Sequence, residues 1–168
     1  LCGLLTVRRR LLDRILDWEQ ARMELQESEE RFRLLFDHMT TGFALYEVIS
    51  SEAGEPIDCR VLKVNPAVEK LTGLSPSEMV GRTVREMFPL SCEAALARYF
   101  QAAGGREPVT SEDYVTELDR WLENRIFTPR PGQVAVIFSD ITERKRAEQA
   151  RAKLEEQLRQ AQKLESIG

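Results

Sequence analysis

The chain has 168 residues, of which 31% are charged and 42% hydrophobic, and its formal net charge is −4. Charged helical patterns occupy both ends, so we expect one central domain of roughly 100 residues with two arms. The acidic balance argues against nucleic-acid binding, because no dense basic face accompanies aromatic residues. Three cysteines without C-x-x-C spacing and one histidine indicate reduced cytoplasmic thiols and no metal site.

The first ten residues join an apolar segment, residues 1–7, to the arginine cluster at residues 8–10. One interpretation is the cytoplasmic end of a membrane helix, since positive residues collect on that side. The other is the start of an amphipathic helix with solvated arginines. Seven residues are too few to span a bilayer, which needs about 20. We expect a fragment of a longer protein, in the cytoplasm or on the cytoplasmic side of the inner membrane, with any anchor before Leu1.

A long helix is predicted over residues 8–39, which contain neither Gly nor Pro. Apolar residues recur in alternating steps of four and three, as in a heptad seam, with Arg22 and Glu29 at two seam positions. The apolar seam residues are Leu11, Ile15, Trp18, Leu25, Phe32 and Phe36. This seam favours pairing with a second copy of the helix, and a single amphipathic helix on its own domain is the alternative.

The central residues read as two strands followed by short helices. Residues 41–49 and 59–64 form a predicted hairpin around a turn at 51–56. Three helix starts follow, at Asn65-Pro66, at the capping box of Ser75 and Glu78, and at that of Thr83 and Glu86. The glycines that suit helix C-termini are Gly73 and Gly81.

A longer helix is predicted from Ser91 to the glycine pair at residues 104–105. Candidate strands follow at residues 109–118, 120–128 and 133–139, with a turn at 129–132. Two strands, a helical insert and three further strands predict an α+β fold in which one antiparallel sheet carries the helices.

The last predicted strand runs directly into a charged helix. Residues 134–138 are five apolar residues in a row, which suits a central strand. Asp140 then interrupts the apolar pattern, and Thr142 is a predicted N-cap, with Glu143 at the positive end of the new helix. Strand and helix are therefore coupled through a very short connection.

Three segments, in this order, resemble the PAS family of sensor domains. They are ESEERFRLLFDHMTTGFALYEV at 27–48, VNPAVEKLTGLSPSEMVGRTVREMFP at 64–89 and the exit motif SDITERKRAE at 139–148. The resemblance implies a five-stranded antiparallel sheet whose helical face encloses a small-molecule pocket, flanked by long coiled-coil helices. We accordingly expect a signalling helix over residues 1–30, a PAS domain over 31–142 and a coiled-coil linker over 143–168.

The tail, RAKLEEQLRQAQKLESIG at 151–168, resembles the linker into the phosphoacceptor helix of sensor histidine kinases. The resemblance implies a kinase domain later in the same protein and a homodimer through the flanking helices. His38 lies at the end of the entry helix, not after the domain, and lacks the acidic neighbour that a phosphoacceptor has on its C-terminal side, so we expect no catalysis by this fragment. A regulatory PAS module of another effector, such as a cyclic-dinucleotide synthase, and a ligand-free interaction module are the alternatives.

The resemblance assigns signal relay to Asp140, Ile141 and Thr142, because the family holds its exit junction with the motif's Asp and Thr. Candidate pocket residues are Phe43, Leu45, Val84, Met87, Phe88, Leu96, Phe100, Trp121 and Ile137. These apolar side chains would also simply fill a core. Haem and flavin are disfavoured, because the helix after Ser91 lacks a histidine and GRTVREMF replaces the flavin-binding cysteine motif. The cofactor is otherwise unassigned.

Overall fold

A computed structural model of the chain describes residues 2–105 and 107–167. The chain divides into two compact units, residues 1–39 and 40–168. The first unit contains one long helix, α1 (Cys2–His38), on which Leu11, Ile15, Trp18 and Leu25 are each more than half exposed. Among the described residues, no helix combines the length and apolar character that a membrane crossing requires.

The second unit contains one antiparallel sheet in the order β2-β1-β5-β4-β3. Its elements are β1 (Gly42–Ser50), β2 (Pro56–Val64), α2 (Ala67–Thr72), α3 (Pro76–Met79), α4 (Val84–Met87), α5 (Cys92–Gly104), β3 (Val109–Val115), β4 (Arg120–Phe127), β5 (Gln133–Asp140) and α6 (Thr142–Glu165). This arrangement confirms the predicted α+β fold with a five-stranded sheet and long flanking helices.

Local sequence signals account for the short helices. The backbone N–H of Ser75 donates to Glu78 Oε2 at 2.8 Å, and that of Thr83 donates to Glu86 Oε2 at 2.9 Å, as in the predicted capping boxes. Gly73 ends α2 with φ of 76°, a conformation that glycine adopts without a Cβ penalty.

Of the predicted Asn65-Pro66 cap of α2, Pro66 occupies the N-cap position, and the Asn65 side chain does not cap the helix. Asn65 is completely buried and serves the sheet instead. Its Oδ1 accepts from the Phe43 N–H at 2.9 Å, and its Nδ2 donates to the Thr41 carbonyl at 2.9 Å. The side chain thus fixes the start of β1 against the end of β2, where a buried amide needs several partners.

Strand β3 ends three residues earlier than predicted, and a 3₁₀ turn, Thr116–Leu118, follows it. Asp119, with φ of 51°, then turns the chain into β4. The turn is held by Glu117, whose carboxylate accepts from Leu90 N at 2.6 Å and from Ser91 Oγ at 2.6 Å. Burial raises the pKa of Glu117, but its hydrogen bonds with Ser91 and nearby backbone groups outweigh burial and leave the pKa below its ordinary value.

The core of the second unit lies between α2–α5 and one face of the sheet. Side chains alternate between faces along each strand, so Ala44 and Tyr46 of β1 enter this core while their neighbours lie on the outer face. Space at the start of β1 is small, because a Cβ on Gly42 would lie 2.6 Å from the Phe138 ring. Glycine therefore allows the close packing of β1 on this side chain.

Candidate functional site

A cavity of about 340 Å³ lies between α5 and the inner face of the sheet. This volume is at the lower end of the range for small-molecule sites, about 300–1,000 Å³. Most of its wall is apolar or aromatic, including Met79, Val84, Phe88, Leu122, Ile126 and Phe138. A mostly apolar wall with a few polar groups is the usual composition of a ligand pocket.

Three elements bring polar side chains together at the cavity. Arg98 of α5 forms an ion pair with Asp113 of β3, and both residues line the cavity. The Asp113 carboxylate also accepts from Ser111 Oγ at 2.6 Å and from Asn124 Nδ2 at 3.1 Å. Because Arg98 and Asp113 are partly shielded from solvent, with 37% and 19% of their side-chain surfaces exposed, the pair is better protected than a surface ion pair.

Two tyrosines add hydroxyl groups to the same wall. The rings of Tyr46 and Tyr99 lie 5.2 Å apart, and both residues line the cavity. Burial raises the pKa of Tyr46 to about 12 and also raises that of Tyr99. Both hydroxyls therefore keep their protons at physiological pH and remain hydrogen-bond donors.

The exit junction is a hydrogen-bond network that joins β4, β5 and α6. The Thr142 hydroxyl accepts from the Trp121 N–H at 3.0 Å and donates to Asp140 Oδ1 at 2.5 Å. The Ile141 N–H donates to the Trp121 carbonyl at 2.9 Å. Arg120 Nη1 donates to Asp140 Oδ2 at 2.9 Å. Consecutive residues of β4 therefore bind consecutive residues of the connection between β5 and α6.

The structure corrects the predicted N-cap of α6. Thr142 is the first helical residue, and Ile141 occupies the N-cap position without a side-chain hydrogen bond. The capping acceptor is Asp140, whose Oδ1 accepts from the Thr142 N–H at 2.8 Å. Partial burial raises the pKa of Asp140, but hydrogen bonds from Thr142 and the charge of Arg120 outweigh burial and hold the pKa below its ordinary value.

Charged side chains hold the first turns of α6 on the outer face of the sheet. Glu112 and Glu123 lie opposite each other on β3 and β4, where two carboxylates would repel. Arg144 of α6 contacts both, at 2.6 Å and 3.4 Å, and Lys145 forms a further ion pair with Glu112. Lys145 Nζ also lies 5.3 Å from the centre of the Trp121 ring, within the range of a cation–π interaction.

Comparison with known families explains this combination of a cavity and an exit helix. A model of the PAS fold matches residues 57–146, more than half of the chain. The chain belongs to the PAS family. This confirms the resemblance read from the sequence motifs.

This PAS chain is 24% identical over 161 residues to "Sensor histidine kinase TmoS" of Ectopseudomonas mendocina. The match covers 89% of this chain and 16% of that relative, so the chain corresponds to a small part of the longer protein. The PAS domain is therefore similar to the PAS domains of sensor histidine kinases, which supports a sensory role.

Solved structures agree on the fold. The PAS domain of a protein from Colwellia psychrerythraea matches with a TM-score of 0.53 and 18% identity, covering 68% of this chain and 97% of that one. An "RNA-binding Light-Oxygen-Voltage Receptor" matches with a TM-score of 0.56 and 19% identity, covering 76% of this chain and 37% of that one.

The candidate pocket residues of this PAS domain lie in three different places. Val84 and Phe88 line the cavity. Met87, Leu96 and Phe100 belong to the surrounding core or pack against it, away from the cavity wall. The remaining four do not line it either, because strand alternation places them on the outer face of the sheet, opposite the core: Phe43, Leu45, Trp121 and Ile137.

Sequence reasoning missed the polar residues in the cavity wall, among them Tyr46, Arg98, Tyr99, Asp113 and Asn124. One signal was available. Arg98 lies among apolar residues on α5. On β4, Leu122, Asn124 and Ile126 are two residues apart and therefore lie on the same face of the strand, so Asn124 is a polar residue between two buried apolar ones. Polar residues in a core-facing register indicate a polar site inside the domain.

Two buried thiols among the described residues stay unpaired, those of Cys59 and Cys92. Burial, followed by the charge of Asp58, raises the pKa of Cys59 to about 12. Cys92 is buried at the start of α5 and donates to the Pro89 carbonyl at 3.4 Å. The raised pKa of Cys59 disfavours a thiolate nucleophile at that position.

Proposed function

We propose that the chain is the sensory and relay segment of a two-component sensor histidine kinase, with the kinase domain later in the same protein on the cytoplasmic side of the membrane. The chain itself carries no catalytic step in this proposal. The observation that carries it is the hydrogen-bond network in which Trp121, Asp140 and Thr142 connect the sheet to α6. The similarity to sensor histidine kinase PAS domains supports the same conclusion.

In the proposed relay, the exit junction changes between two arrangements. A ligand or partner that prefers one arrangement of the sheet shifts β4 and β5 slightly relative to each other. Because Trp121 binds both Ile141 and Thr142, this shift changes the direction in which α6 leaves the sheet. The helix then passes the change on as a rotation or a change of register.

In this proposal, two copies of the chain pair through their flanking helices, and the homodimer passes the change on. On α6, Ala147, Ala150, Leu154, Ala161 and Leu164 continue a heptad stripe that Gln157 interrupts. Leu154 and Leu164 are 65% and 73% exposed, and the α1 seam is exposed from Leu11 to Phe32, although its last residue, Phe36, is buried. A second copy of the chain would cover both apolar seams.

The test is autophosphorylation of the complete parent kinase with Asp140→Ala, measured with and without its stimulus. We expect loss of regulation with a folded domain, because the junction loses both the α6 cap and the partner of Arg120. The matched control is Asp58→Ala, on β2 at the opposite side of the sheet. Unchanged regulation in Asp140→Ala, with the domain still folded, would reject the relay.

The second candidate is a PAS regulatory or dimerisation module of a different effector, such as a cyclic-dinucleotide synthase. The exit junction would serve such a protein equally well, so the sequence that follows Gly168 distinguishes the two. A His followed by an acidic residue within about fifteen residues, or four helical turns, is expected for the kinase.

A purely interaction-based module is less consistent with the cavity of about 340 Å³, because a domain without a ligand has no need to keep this space open.

A further inference from the structure

At the polar end of the cavity, the carboxylate of Asp113 already has its hydrogen-bond donors. Asp113 accepts hydrogen bonds from Arg98, Ser111 and Asn124, so both of its oxygens are engaged. The other charged residue of the wall, Glu93, forms an ion pair with Arg85. Strong acceptors are thus already occupied at this wall, and a ligand that only donates hydrogen bonds would have to displace one of these partners.

Donors, in contrast, remain available. Arg98 Nε is shielded from solvent and has no hydrogen-bond partner among the residues that the structure describes. A shielded N–H without an acceptor is unfavourable, so an acceptor that reaches it would be bound strongly. Each hydroxyl of Tyr46 and Tyr99 carries one hydrogen, so even a hydrogen bond between the two hydroxyls would leave one hydrogen free to donate to a ligand.

Charge balance argues against an ionic ligand. The charges of Arg98 and Asp113 neutralise each other, as do those of Arg85 and Glu93. An anion or a cation would enter a wall that is mostly apolar and either remain without a counter-charge or break an existing pair. Both outcomes carry a desolvation cost that an uncharged molecule avoids.

We propose that the cavity binds a small, uncharged, mostly apolar molecule with one hydrogen-bond-accepting oxygen, as in a ketone or an ester. The apolar body lies against Val84, Phe88 and Leu122, and the oxygen accepts from Arg98 and from one hydroxyl of the Tyr46 and Tyr99 pair. A small rotation of the guanidinium brings Nε–H to the ligand. This inference rests on the proposed sensory role and names the class of molecule that the sensor recognises.

The test is a set of NMR titrations of the 168-residue chain with four probes built on one six-membered ring: cyclohexanone, methylcyclohexane, cyclohexanecarboxylate and cyclohexylammonium. Cyclohexanone is expected to shift the amide signals of residues lining the cavity and to bind more tightly than both ions. Methylcyclohexane is the shape control, because it fills the same space without an acceptor.

The decisive variant is Arg98→Lys, which keeps the charge that pairs with Asp113 and removes the Nε donor. We expect it to weaken cyclohexanone binding at least tenfold and to leave methylcyclohexane binding within twofold. The double variant Tyr46→Phe with Tyr99→Phe keeps both rings and should weaken cyclohexanone while methylcyclohexane binds equally or more tightly. Arg125→Lys, at an exposed position of β4, is the control and should change neither.

Three results would overturn the inference: no shift at the cavity with any probe, tighter binding of either ion than of cyclohexanone, or equal weakening of cyclohexanone and methylcyclohexane in Arg98→Lys. Failure of the relay is recognised separately. Asp140→Ala should keep cyclohexanone binding, because Asp140 does not line the cavity. Binding that survives without regulation in the parent protein would reject the relay and keep the ligand class.

Discussion

Replacing Thr142 with valine removes one oxygen from the exit junction and preserves the side-chain shape. That oxygen accepts from the Trp121 N–H at 3.0 Å and donates to Asp140 at 2.5 Å. Thr142 is only 8% exposed, so water does not easily take the place of the hydroxyl. A buried N–H that loses its acceptor costs about 1–3 kcal/mol. We therefore expect Thr142→Val to lower the free energy of unfolding by about 2 kcal/mol.

The assay is amide hydrogen exchange of Trp121, followed by NMR, together with urea unfolding. A local loss of about 2 kcal/mol corresponds to roughly 30-fold faster exchange, because each 1.36 kcal/mol changes an equilibrium constant tenfold. Thr142→Ser keeps the oxygen and should retain most of the protection. Thr110→Val, at an exposed position of β3, is the matched control for the same chemical change.

Two results would refute this reasoning. One is an unchanged exchange rate of the Trp121 amide in Thr142→Val, which would mean that the hydroxyl is not its effective acceptor. The other is an equal loss of stability in Thr110→Val, which would attribute the effect to valine itself.

Three further changes test the packing and the charges of the domain. Gly42→Ala would place a Cβ 2.6 Å from the Phe138 ring, so urea unfolding should show a loss of about 1–3 kcal/mol, whereas Gly104→Ala, with open space around it, should cost far less. Glu112→Gln removes the carboxylate that binds Arg144 and Lys145, so the first turn of α6 should exchange faster, and added salt should reduce the difference from the native chain. The folded pKa of Asp140 lies below its unfolded value of about 3.9, so the ionised side chain stabilises the fold above that pH, and this stabilisation is lost as pH falls through the folded pKa. In urea unfolding below about pH 4, Asp140→Asn should therefore lose less stability with falling pH than the native chain does.

Much of the fold was predictable because its signals are local. The capping boxes at Ser75 and Thr83 need only four consecutive residues each, and both form as expected. The five apolar residues at 134–138 identify a central strand, and the structure places β5 between two neighbours. Such features depend on backbone geometry that a short segment largely determines by itself.

The composition of the cavity was less accessible from sequence, for two physical reasons. A continuous apolar run such as residues 134–138 does not show which side chains face the helices, so Ile137 could not be distinguished from its neighbours. The ion pair between Arg98 and Asp113 also depends on a contact between α5 and β3 that only the tertiary fold creates. Asn65 shows the same limit, since its side chain crosses to β1 and does not cap the adjacent helix.

Strand β4 connects the cavity to the exit junction. Leu122 and Asn124 line the cavity from the inner face, while the backbone N–H and carbonyl of the preceding residue, Trp121, bind Thr142 and Ile141. Successive residues of a strand lie about 3.3 Å apart, so Asn124 is roughly 10 Å along the strand from Trp121. A ligand that moves β4 from the inner face would therefore also move the backbone N–H that binds Thr142. The proposed relay thus needs no intermediate element to pass the change, and a substitution that stiffens β4 should weaken the response to ligand without preventing its binding.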